Sequence, residues 1–253
     1  MTTRELYQIL NEKIPTSLSC DWDNDGLMCC PDGTQEVRRV LLTLDVTAEA
    51  VKRAIEAKCD VILSHHPLIF KGIKALDGET TVSAKAIDLI QHGISVMSFH
   101  TRLDAAEGGV NDVLATLLGL CNVTPFGEEA IGRIGSLPQE TTAEDFAKTV
   151  KEALCAPVVQ LADANIPVRR VAVLGGSGGD DVEAAKTAGA DTYVSGELKY
   201  HQLTDAPEEG INLITAGHFH TEFPVCEMLK KLLAEIDPSI ETEIYENYKI
   251  KTI

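Results

Sequence analysis

Val61-Ile-Leu-Ser-His-His-Pro67 is an apolar run that ends in two adjacent imidazoles and a proline. A strand covered on both faces needs consecutive apolar residues, and Val61, Ile62 and Leu63 provide them. The stretch therefore predicts a buried strand over 60–64 in an open α/β sheet. The histidines fall at the strand's carboxyl end, where such sheets bind ligands. Neighbouring residues on an extended backbone point in opposite directions. His65 and His66 are thus expected either to serve one each of two nearby centres, or to divide between ligand and scaffold.

Outward from this run the pattern is β-α alternation. Thr2 and Glu5 have capping-box spacing for a first helix carrying Leu6, Ile9 and Leu10 and stopped near Pro15. Residues 37–45 read as a strand, 47–58 as a helix and 81–92 as a second helix. Gly93 leads into a strand over Ile94–Phe99, followed by His100-Thr-Arg-Leu-Asp104, and another helix follows Asn111. The stretch from 127 to 166 is less diagnostic, apart from a helix over 142–154. Strands at 169–174, 191–195 and 211–216 flank a helix at 180–188. A last helix is expected from about Thr221, with Pro224 in its first turn, to about Glu235.

The alternation hides a repeat. Val-Arg-Arg-Val occurs at 37–40 and at 168–171. Ser64 and Ser195 each lie 27 positions after the start of their copy (64 − 37 and 195 − 168). His100-x-x-x-Asp104 is echoed by His218-x-x-x-Glu222. These matches predict two related α/β lobes, an N-terminal one over 1–126 and a C-terminal one over 127–253, facing a central cleft.

Composition narrows the function. The 253 residues carry a formal charge of −17, which repels phosphate backbones and argues against nucleic-acid binding through a basic face. No apolar run approaches a membrane span, and Met1-Thr-Thr-Arg-Glu-Leu6 lacks the pattern of a secretion signal. Seven scattered cysteines without a C-x-x-C pair read as reduced thiols of a cytoplasmic protein.

Seven histidines stand at 65, 66, 92, 100, 201, 218 and 220, and five of them fall in three clusters just after predicted strands. Acids follow two clusters, at Asp104 and Glu222. Imidazole with carboxylate and no thiolate suits Zn, Fe, Mn or Ni. His65, His66, Asp104, His218 and Glu222 meet the needs of two divalent metal ions sharing a carboxylate. His100 and His220 are then candidates for supporting or proton-transfer roles. His92, beside Gly93 at a helix end, and His201, on an expected surface turn, are left outside the site.

Four stretches carry a family resemblance: Ser64-His-His-Pro-Leu-Ile-Phe70, His100-Thr-Arg-Leu-Asp-Ala-Ala-Glu-Gly-Gly-Val-Asn-Asp112, Ser195-Gly-Glu-Leu-Lys-Tyr-His201 and Gly217-His-Phe-His-Thr-Glu222. With Asp21-Trp-Asp-Asn-Asp-Gly-Leu27, they resemble the GTP cyclohydrolase 1 type 2 family, also called Nif-three-like, in order along the chain. The resemblance implies a dinuclear site on His65, His66, Asp104, His218 and Glu222, with Glu222 bridging. It also implies a two-lobed subunit in a ring-shaped homohexamer, here in the short form lacking an inserted middle domain. Its name implies hydrolytic opening of the GTP imidazole ring, work suited to a metal-held hydroxide.

Gly175-Gly-Ser-Gly-Gly-Asp-Asp181 sits where a phosphate loop would, but lacks the G-x-G-x-x-G spacing and the Walker lysine. A flexible turn with acidic helix capping is the reading it favours. Asp21-x-Asp-x-Asp-Gly26 opens like a calcium loop but has no flanking helices; it reads as an acid-rich loop lining the metal cleft. The expected activity is a metal-dependent hydrolase acting on a small heterocyclic or phosphorylated metabolite, GTP among them. The alternative is a metal-binding regulatory or interaction protein without turnover.

Overall fold

The computed structural model describes residues 1–251 and 253. The first half of the chain runs α1 (Thr3–Lys13), β1 (Gly26–Cys29), β2 (Arg39–Thr43), α2 (Ala48–Glu56), β3 (Val61–Ser64), α3 (Thr81–Gln91), β4 (Ser95–Ser98), α4 (Thr101–Ala105) and α5 (Val110–Leu117). Then follow β5 (Cys121–Phe126), β6 (Gly132–Thr141), α6 (Ala143–Ala153), β7 (Gln160–Ala162), β8 (Val168–Leu174), α7 (Val182–Thr187) and β9 (Thr192–Ser195). The chain ends with α8 (Tyr200–Asp205), β10 (Asn212–Thr215), α9 (His218–Glu222), α10 (Val225–Ile236) and β11 (Glu241–Ile244). The protein is mixed α/β with two sheets, as the alternation predicted.

Two compact units emerge, residues 1–103 with 226–249, and residues 104–225 with 250–253. They differ from the expected division into 1–126 and 127–253. The reason lies in pairing: β11 leaves the sequence of the second half to lie parallel to β2, and β5 joins the second sheet by pairing with β6.

In the first unit the strand order is β1-β4-β3-β2-β11. Only β1 runs antiparallel to its neighbour. Leu41, Ile62 and Val96 project into a core closed by Val51 and Ala54 of α2 and Leu89 of α3. α1 starts as its spacing predicted: the Thr2 hydroxyl accepts the Glu5 amide, and the Glu5 carboxylate accepts the Thr2 amide at 2.7 Å. Each bond satisfies an amide that has no partner inside the helix.

In the second unit the order is β5-β6-β8-β9-β10-β7. β8, β9 and β10 are parallel, with antiparallel strands at both flanks. Side chains alternate across this sheet. Val171, Val173, Val194 and Ile214 pack with Phe146 and Val150 of α6. Ala172, Tyr193 and Leu213 pack on the other face with Ala185 of α7.

The repeat is visible in the ladders. Val40 pairs with Val61 and Thr43 with Ser64; Val171 pairs with Thr192 and Leu174 with Ser195. Both strands are displaced by the same 131 positions (171 − 40 and 192 − 61). One carboxylate starts each copy. Asp60 accepts the Arg38 and Arg39 amides at 2.8 and 2.9 Å, and Asp191 accepts those of Arg169 and Arg170 at 2.9 and 2.7 Å.

The expected last helix divides in two. Pro224 has no N–H to continue the ladder, so α9 stops at Glu222 and α10 begins at Val225. His201 lies not on a turn but in the first turn of α8, exposed.

Candidate metal centre

In the first unit three imidazoles converge. β3 ends at Ser64, whose hydroxyl donates to the His66 carbonyl at 2.8 Å, and the backbone bends at the histidines. His65 and His66 therefore do not splay to opposite sides as extended neighbours would. Their ring centroids are 4.9 Å apart, and His100, two residues beyond β4, lies 5.3 and 5.7 Å from them. Their ligand nitrogens lie within 4.8 Å of one another.

Each of the three rings is held by Nδ1. The His65 nitrogen lies 3.0 Å from the Phe99 carbonyl. That of His66 lies 2.8 Å from Asp45, and that of His100 2.8 Å from Asp23. A carbonyl or carboxylate oxygen only accepts, so Nδ1 carries the hydrogen and Nε2 is the basic nitrogen in all three. This is the arrangement by which supporting oxygens orient and tune metal-binding histidines.

The acid-rich loop holds this group from behind. Asp23 also accepts the Thr101 amide and hydroxyl, at 3.1 and 2.7 Å. Burial pushes the Asp23 carboxyl up, but the bonds from His100 and Thr101 outweigh it and hold the group far below the usual carboxylate range. Asp25 pairs with buried Arg102 at 3.0 Å, whose guanidinium lies 4.2 Å over the Phe99 ring. The calcium-loop reading fails, because two of its acids are committed to protein donors.

In the second unit Gly217, with φ of +87°, turns the chain from β10 into α9. His218 and Glu222 are then one helical turn apart, with Nε2 and Oε2 at 3.0 Å. Glu197 approaches His218 Nδ1 at 3.4 Å. Glu222 is buried. Asp104 lies near the end of α4, half-buried, with its backbone carbonyl accepting from Asn111 at 3.3 Å. His220 packs edge-on against Phe219, with centroids 5.6 Å apart.

The glycine-rich turn supports this second group rather than an anion. Three of its amides are engaged by the protein: Gly175 donates to Asn111 at 2.8 Å, Gly176 to Thr221 and Gly178 to Ser195, both at 3.0 Å. A Cβ at Gly176, where φ is +64°, would collide with the Glu222 carboxylate. Asp181 does not cap α7 through its side chain. Burial, reinforced by Glu129 and Asp180, raises its carboxyl. The turn is packed rather than flexible.

The structure thus gathers His65, His66 and His100 in one unit and His218 with Glu222 in the other. His100, read from sequence as a supporting residue, stands inside the imidazole group. Asp45, Asp23 and Glu197 escaped the sequence reading as partners of the histidines. Only position gave a signal: Asp45 ends the segment 37–45, and Asp23 belongs to the acid-rich loop.

A two-sheet α/β protein with histidine–acid groups able to hold a metal ion is the class this geometry defines. The chain belongs to the Duf34/NIF3 (NGG1p interacting factor 3) family, which it matches over residues 1–250. It is 33% identical to the GTP cyclohydrolase 1 type 2 homolog of Clostridium perfringens over 249 residues, 95% of either chain. A crystal structure of a hypothetical protein from Staphylococcus aureus superposes with a TM-score of 0.90 at 31% identity, covering 100% of this chain and 99% of that one. The GTP cyclohydrolase 1 type 2 homolog of Staphylococcus aureus aligns at 29% identity over 345 residues, 92% of this chain and 93% of the relative. That span exceeds the 253 residues here, so the relative carries residues with no counterpart in this chain. No helix among the described residues is long and apolar enough to cross a membrane.

Proposed function

We propose that the chain holds two divalent cations through His65, His66, Asp104, His218 and Glu222, and hydrolyses a small heterocyclic or phosphorylated metabolite, GTP among the candidates. The observation that carries this reading is the fixed tautomer of three neighbouring imidazoles, each tied through Nδ1 to an oxygen. The donor chemistry, imidazole and carboxylate without thiolate, fits Zn, Fe, Mn or Ni. Cations held there would supply Lewis acidity and lower the pKa of water toward neutrality. The names of the curated relatives support the reading.

The chain's own residues perform the positioning. Phe99 and Asp45 fix the rings of His65 and His66 through their Nδ1 hydrogens. Asp23 does the same for His100, which leaves Nε2 as the nitrogen available for proton transfer. His220 is the second candidate for carrying a proton. In the glycine turn the Gly175, Gly176 and Gly178 amides are already engaged by the protein, which supports a reading in which the substrate is recognised through its ring. The reading includes a homohexameric ring, for which light scattering should give about six times the chain mass; a monomer would contradict that part.

Incubation of the metal-loaded protein with GTP, with and without chelator, tests the activity through release of formate and loss of the purine absorbance. Chelator-sensitive turnover is expected. Full metal occupancy without turnover of GTP or related heterocycles would favour a metal-binding regulatory protein instead.

A further inference from the structure

Two aromatic rings stand exposed beside the imidazole group. Trp22 is 60% and Phe70 47% exposed. Their centroids are 6.2 Å apart at an interplanar angle of 73°. His100 faces both, 6.2 Å from Trp22 at 78° and 6.1 Å from Phe70 at 88°. Three nearly perpendicular rings make three walls of a corner. Its rear wall, His100, belongs to the same group as His65 and His66.

The corner is held rigidly. The Cys20 amide donates to the Thr101 hydroxyl at 3.0 Å and the Asp23 amide to the Cys20 carbonyl at 3.0 Å. These two bonds bracket Trp22. The Asn24 side chain donates to the Ile69 carbonyl, joining the tryptophan loop to the segment that carries Phe70. Prior ordering of this kind removes an entropic cost that a ligand would otherwise meet.

We propose that Trp22 and Phe70 bind the planar ring of a nitrogen heterocycle of the purine type, stacking it on one wall and packing its edge on the other, next to the basic nitrogens of His65, His66 and His100. This deepens the proposed function and rests on it for the chemistry, though ring binding itself needs only the first unit. Aromatic walls recognise a base by its π-face and apolar area, contributions that tolerate several ring types.

Trp22 is the only tryptophan of the chain, so its emission reports on the corner alone. Guanosine titrated into the metal-loaded protein, with ribose 5-phosphate as the ringless control, should quench Trp22 saturably while the control does not. Phe70→Ala should weaken guanosine binding about tenfold, and Trp22→Ala, followed by calorimetry, by a similar factor. Trp22→Phe should restore most of the affinity. Metal content should be unchanged in all three variants, because neither side chain offers a ligand atom. Loss of metal binding in the wild type with guanosine binding retained would defeat the metal reading alone. The corner is overturned by any of three results: no guanosine binding by the wild type, unchanged affinity in Trp22→Ala, or a Trp22 already shielded from aqueous quenchers in the ligand-free protein.

Discussion

β2-β3-β4 and β8-β9-β10 are the same piece of architecture built twice, and they part company where each strand ends. Within the strands the correspondence is close: the same ladder register at a displacement of 131, and the same carboxylate, Asp60 or Asp191, gathering two amides. Beyond β3 stand His65 and His66, whereas the corresponding positions beyond β9 are Gly196 and Glu197. The third strands diverge too. Phe99 donates to the Ser64 carbonyl as Ala216 donates to that of Ser195, a displacement of 117 that sets His100 against Gly217 and Asp104 against Thr221. The echo between His100-x-x-x-Asp104 and His218-x-x-x-Glu222 is therefore one residue out of structural register. The two copies share the scaffold, while the donors stand at positions where they differ.

The two units can be compared most severely through their buried arginines. Arg102 is fully buried against Asp25, itself only 5% exposed. Arg133 is nearly as buried, but its partner Asp112 is 25% exposed; both guanidiniums also donate to backbone carbonyls, Arg102 to Ile14 at 3.1 Å and Arg133 to Ala105 at 2.7 Å. Removing one member of a buried pair leaves an uncompensated charge and costs about 3–5 kcal/mol. Arg102→Ala should therefore lose stability in this range by urea denaturation, and Arg133→Ala less, because water reaches Asp112. Equal losses would mean that the exposure of the acid does not decide the cost.

Acid pH separates the first unit from the second. The Asp23 carboxyl is depressed in the folded state, so it contributes stability at pH above the unfolded value near 4. That contribution is lost progressively as pH falls below it, toward the folded value. Asp23→Asn should flatten the acid limb of stability between about pH 4 and pH 2, measured by denaturant midpoints across pH. An unchanged slope would place the acid sensitivity elsewhere.

The smallest effect is the most symmetric. Asp60→Ala and Asp191→Ala each remove two amide partners, at a net cost of about 1–2 kcal/mol. Asp60 also accepts from the Gln35 side chain at 3.1 Å and Asp191 from the Thr192 hydroxyl at 2.8 Å, so the two variants should lose about the same. A large difference between the two would show that the repeat is equivalent in geometry but not in energy.

What the chain revealed in advance follows the same division. Strands with consecutive apolar residues, such as Val61-Ile-Leu63, and the capped helices α1 and α6 were legible because local pattern and burial agree. β6 was not: Gly132-Arg-Ile-Gly-Ser-Leu-Pro-Gln-Glu-Thr141 mixes glycine, proline and charge, and its place is set by pairing with β5 and β8. β11 is held by long-range pairing with β2, which no local pattern announces. At the site the imidazoles were legible as clusters after strands, whereas Asp45 and Asp23 acquire their roles only when distant segments meet. The out-of-register echo shows the limit of motif matching: spacing picked out the His and acid pairs, but not which positions of the two copies correspond.

The most direct test of the central claim is elemental analysis of the purified protein, set beside Glu222→Ala and His65→Ala. Two divalent cations per chain are expected in the wild type and reduced content in both variants, with unchanged far-ultraviolet dichroism. A wild type that takes up no divalent metal, or a Glu222→Ala that keeps both ions, would contradict it.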